Sequence, residues 1–261
     1  MDGSDTRVPR RIAAVALLAS FACLARDGAP PRGLVRGQEP GVPDAREAPG
    51  AKRVFEDWST IGHFAFEEAV AAWAPGPEPL RLGEEDLRAL AQALDRQDES
   101  SVRAAVLLAR SRAEEAEELL LVRLEKRRKA PSRELDAGDL VAAAALAATR
   151  SEGRARRLEA LATGATPHPD LEVRVECACS ALRLGRDGVI PFLLRALRAM
   201  THDEKLAPPD WEPTQTMAWA KTRAAEALSE RAGIQSGFRP DGSVAHQEEE
   251  ARRLEELLGD R

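Results

Sequence analysis

The sequence has no tyrosine, and its aromatics amount to 4% of 261 residues. β-branched residues are sparse as well, so the side chains that pack best on a pleated sheet are missing. Leucine and alanine must supply the core, and both favour helix. The composition predicts an all-α body. Histidine is almost as scarce, with four residues scattered at positions 63, 168, 202 and 246, and there are three cysteines with no Cys-x-x-Cys pair. Neither set reaches a metal-ligand spacing. His-Glu-x-x-His, Gly-x-Ser-x-Gly, P-loop and Gly-x-Gly-x-x-Gly patterns are absent too, which leaves no catalytic or cofactor signature and points away from an enzyme. An excess of positive charge is also lacking. The formal net charge is −6, a poor match to nucleic acid, whose binding draws on lysine and arginine at phosphates.

No apolar run is long enough for a membrane span of roughly 20 residues. The longest, Ile12 to Ala25, follows Arg7, Arg10 and Arg11. A basic segment before an apolar stretch of this length reads as an export signal over residues 1–25, with cleavage after Ala22 or Ala25. The Ala22-Cys23 step at its end resembles a bacterial lipobox, and that resemblance implies lipidation of Cys23. Residues 26–53 hold five prolines and five glycines and almost no large apolar side chain. They read as a disordered tether, because they bury too little surface to offset the entropy of ordering. The expected location is therefore the periplasm or cell envelope, with membrane attachment only through the N-terminal signal or lipid.

What the sequence does contain is repetition. "SSVRAAVLLARSRAEEAEELLLVRLEKR" from Ser100 and "LEVRVECACSALRLGRDGVIPFLLRALR" from Leu171 share one layout: Val-Arg, an Ala/Leu-rich helix, a break, then a Leu-dense helix. A copy lies between them from Ala137 to Thr163, and a further one starts at Ala218. With Val102, Val141, Val173 and Thr222 taken as equivalent, the steps are 39, 32 and 49 residues. The last step is long because residues 201–216 intervene, and Pro208, Pro209 and Pro213 predict that they form an extended insertion. Residues 84–97 read as a lone helix of a degraded first unit. The segment 54–82 reads as an N-terminal helical cap on a repeat domain spanning 83–261.

Val102-Arg103, Val173-Arg174, "SALRLG" at 180–185 and "IPFLLRAL" at 190–197 resemble the HEAT-repeat family. The resemblance implies a short right-handed α-solenoid of about four to five helix pairs, with the second helix of each pair on a concave, partner-binding side. The expected function is a monomeric, non-catalytic scaffold that binds another protein and holds no cofactor. Two other readings stay open, a structural spacer without a specific partner and a HEAT-like lyase-type enzyme.

Within the third pair, spacing places Val173, Cys177, Ser180, Ala181 and Leu184 on the core side. Cys179, about 200° round the helix from Cys177, is expected to be partly exposed. The two thiols diverge, so they form neither a chelate nor an unstrained disulfide, and Cys177 reads as a small core residue. On the next helix, Ile190, Leu193, Leu194 and Leu197 form the buried stripe, which leaves Phe192 and Arg195 facing solvent as candidate partner contacts. Trp211, among the prolines of the insertion, is the third. Trp58, Trp73 and Trp219 read as covers for open core. His63 and Glu67, at i and i+4, read as a polar pair on a helix edge.

Overall fold

The computed structural model describes residues 58–59, 66, 80–96, 98–111, 113–129, 137–148, 151–198 and 213–259. The proposed signal and tether, Cys23, His63, Glu67, Trp73 and Trp211 lie outside these residues, and so does most of the expected cap. Among the described residues all regular structure is helical. Nine α-helices can be followed among the described residues: α1 (Glu84–Leu94), α2 (Glu99–Ser111), α3 (Glu114–Lys129), α4 (Ala137–Ala145), α5 (Glu152–Thr163), α6 (Leu171–Arg183), α7 (Ile190–Arg198), α8 (Pro213–Ala232) and α9 (Val244–Gly259). The all-α expectation therefore stands. The chain divides into two compact units, Met1–Leu119 and Leu120–Arg261, with the boundary inside α3.

In the first unit α1 packs on α2. The Asp86 carboxylate accepts a hydrogen bond from the Gly83 amide at 2.8 Å and so closes the start of α1. Leu90, Ala93 and Leu94 of α1 and Ala104, Leu107 and Leu108 of α2 are buried. Arg103 is buried with them. It donates to the Trp58 carbonyl at 2.9 Å and to Glu99 at 2.6 Å, and its guanidinium lies 5.1 Å from the centre of the Phe66 ring. The Arg of the first Val-Arg pair thus ties the buried Trp58 and Phe66 to α2.

The second unit is organised around α6, which packs against α4, α5, α7 and α8. In addition α7 packs on α8 and α9, and α8 packs on α9. Asp170 caps α6 by accepting from the Glu172 amide at 3.2 Å, and Ser151 caps α5 in the same way from Arg154. Gly185, at φ 82°, ends α6 in a Schellman turn. Its own amide reaches Leu182 O, and the Arg186 amide reaches Ala181 O. Gly233, at φ 75°, ends α8 with the same pair of bonds. One boundary departs from expectation. Pro213 starts α8 where an extended insertion was expected through residue 216. At the first helical position a proline lacks only an amide hydrogen that would have no partner anyway.

The sequence pattern expected one buried face on α6, but the helix buries most of its circumference. Val173, Cys177, Ser180 and Ala181 are buried as expected, and Leu184 is half-buried. Val175, Glu176 and Cys179 are buried as well. The expected exposure of Cys179 is overturned because α8 covers that side, and the Cys179 thiol lies 3.5 Å from the Arg223 carbonyl. Small side chains such as Ala178 and Ala181 let neighbouring helices approach closely.

Candidate binding surface

Phe192 was expected to face solvent, and here the structure corrects the sequence. Its ring is 6% exposed, because the guanidinium of Arg174, from α6, lies 4.7 Å from the ring centre and covers it. Ile190, assigned to the buried stripe, is half-buried instead. A stripe drawn from α7 alone could not foresee an arginine folding over from α6. Arg195 is exposed as expected. It stands one turn after Phe192, so the two share a helix face. Arg174 donates through Nε to the Ala162 carbonyl at 3.0 Å. Burial, and after it the positive charge of Arg195, holds the Arg174 guanidinium below its ordinary pKa.

The arginine cluster stands out against the rest of the unit, where arginines are mostly matched by carboxylates. Arg157 pairs with Glu125, Arg186 with Glu159, and Arg231 with Asp187. Among the described residues, no carboxylate forms an ion pair with Arg174 or Arg195. Phe192 and Arg195 were legible as candidates in the sequence, whereas Arg174 was legible only as a repeat marker. A bulky aromatic on a short helix, one position from the stripe, was the available signal that something covers it.

A buried polar cluster lies elsewhere in the unit. Asp139 of α4 is 1% exposed; it accepts from Arg123 Nε at 2.6 Å and from Arg127 Nε at 3.1 Å. His168 Nε2 lies 3.8 Å from the Asp139 carboxylate, and His168 Nδ1 accepts from the Asp170 amide at 3.2 Å. Burial lowers the His168 pKa. Burial also pushes Asp170 up to about 7, helped by its hydrogen bond to Glu172 and by that residue's charge.

A pH dependence follows. The folded pKa of Asp170 lies above its unfolded value of 3.8, so its contribution is complete below that value and is lost as pH rises toward 7. Asp170→Asn keeps the cap, since asparagine caps as well as aspartate, and removes the titration. We expect the drop in urea midpoint between pH 5 and pH 8 to be smaller in Asp170→Asn than in the wild type. An equal drop in both would show that Asp170 titrates normally.

Cys177 and Cys179 are buried free thiols. Burial first, then the nearby Glu176, raises both thiols, Cys179 to about 12 and Cys177 well above its ordinary value. Neither is a thiolate at neutral pH. Among the described residues no cluster of three His, Cys, Asp or Glu could hold a metal, and no helix is long and apolar enough to cross a membrane. Compared with protein-family models, curated proteins and solved structures, the chain gives no match.

Proposed function

We propose that this chain is a non-catalytic scaffold of HEAT-repeat type, exported to the cell envelope, which binds another protein through the side formed by the second helices of its pairs. The observation that carries this reading is the packing order of the second unit. First helices lie on first helices, α6 on α4 and on α8, and the second helix α7 lies on α9. Such short pairs cannot bury their apolar faces alone, and stacking gives them one shared core, as in a right-handed solenoid. The unneutralised Arg195 on a second helix supports partner binding on that side.

The test is site-specific photo-crosslinking of the full chain in envelope extract. A crosslinking residue at Pro191, exposed on α7 one turn before Arg195, should capture one protein, and the same residue at Gln235, exposed in the turn between α8 and α9, should not. Equal capture at both positions, or none at either, would favour a spacer. Turnover of a small molecule by the purified chain alone would sink the scaffold reading.

A further inference from the structure

We propose that Arg174 and Arg195, set about the Phe192 ring, form a carboxylate clamp that receives an acidic segment of the protein partner. The inference rests on the scaffold reading and specifies what its surface recognises. Three features argue for a built site rather than a solvated face. The Arg174 guanidinium is held in place, stacked at 4.7 Å over Phe192 and tied through Nε to Ala162 O at 3.0 Å. With Nε engaged, its Nη edge remains to meet the two oxygens of a carboxylate in the bidentate manner that guanidinium favours. Arg195 adds a second cation on the adjoining turn. Two like charges side by side repel, and an incoming anion relieves that repulsion.

The contrast within the chain strengthens this. In a protein of net charge −6, glutamates and aspartates neutralise most arginines of the second unit, down to exposed pairs such as Arg156–Glu152. Arg128, Arg239 and Arg252 also lack a carboxylate partner among the described residues, but Arg239 and Arg252 are exposed and none of the three lies over an aromatic ring. Arg174 is half-buried and stacked, with a second arginine beside it. Two cations on an acidic body are too few for a nucleic-acid track, which needs a series of phosphate contacts. They suit one or two carboxylates.

The experiment measures binding of a fluorescein-labelled, glutamate-rich decapeptide to the full chain by anisotropy, with a glutamine-substituted peptide as control. We expect the glutamate peptide alone to bind, more tightly at low salt. Arg195→Glu should weaken binding by at least about tenfold, because it replaces an attraction for the peptide carboxylates by a repulsion and neutralises Arg174 from beside it. Arg239→Glu, exposed in the turn between α8 and α9, should change it less than about twofold, because a lone exposed charge contributes little. Arg174→Gln should also lose binding, while Arg174→Lys should recover only part of it, since an ammonium cannot stack and fork as guanidinium does. Circular dichroism confirms that each variant is folded, and Arg195→Glu, at an exposed position, keeps the test decisive if an Arg174 variant is not. Equal binding of the two peptides, or an equal loss in Arg239→Glu, would overturn the clamp. So would a phosphoserine peptide binding tenfold tighter than the glutamate peptide through the same arginines, because phosphate would then be the ligand. Capture of a partner at position 191 together with no glutamate-peptide binding would overturn the clamp and leave the scaffold standing.

Discussion

Glu176→Ala should destabilise the second unit by about 3 kcal/mol, as expected when one partner of a buried ion pair is removed. The Glu176 side chain is fully buried, and both its oxygens are taken by Arg223 of α8, at 3.0 Å to Nε and 2.7 Å to Nη2. Burial works against the Arg223 charge, but the charge and hydrogen bonds of Glu176 outweigh it and hold the guanidinium above its ordinary pKa. Alanine would leave that cation facing a cavity. Glu226, on the other side of Arg223 at 2.8 Å, would keep one hydrogen bond, which places the cost at the low end of the roughly 3–5 kcal/mol range for broken buried pairs. Hydrogen exchange of the α6 and α8 amides is the measurement, because it isolates this unit from the first. Opening should become more than a hundredfold more frequent for about 3 kcal/mol. The double replacement Glu176→Met with Arg223→Met should cost far less, since an apolar pair of similar volume needs no desolvation of charge. If Glu176→Ala costs less than about 1 kcal/mol, the pair behaves as a surface pair and water reaches it.

That pair also marks where the sequence stopped being informative. The helices themselves were legible. Leucine and alanine at spacings of three and four placed α1, α2, α6 and α7 to within a few residues, and Gly185 marked the end of α6 because only glycine takes φ 82° without strain. Helical periodicity reports one buried face, the one a helix shares with its nearest partner in sequence. The second buried face of α6 comes from α8, whose Arg223 lies 47 residues beyond Glu176. Nothing near Glu176 or Cys179 announces that contact, so both are buried, Cys179 against the expectation of partial exposure. Phe192 failed for a different reason, since its cover is the long Arg174 side chain reaching over from the neighbouring α6, which spacing along α7 does not register. Arg195 was legible because exposure on a short helix follows from the stripe alone.

Asp139→Asn should be at least as costly, at about 3–5 kcal/mol, because it removes the only charge from a buried carboxylate that serves two cations. Asp139 is the single acid in the apolar run "AGDLVAAAA", and it is buried with Arg123, whose side chain is 3% exposed. An amide keeps the shape and can still accept one hydrogen bond, but it cannot balance Arg123 in a dry site. Arg127 differs in position, with its side chain 18% exposed, so Arg127→Gln leaves the Arg123–Asp139 pair intact and should cost only about 1 kcal/mol. The two variants thus separate charge balance from hydrogen-bond count. Asp139→Asn should accelerate exchange throughout α4 and α6, which pack together, whereas Arg127→Gln should leave α6 nearly unchanged. Equal effects of the two would mean that the cluster acts as a set of interchangeable hydrogen bonds, and that the Asp139 charge itself does not hold α3, α4 and the His168 turn together.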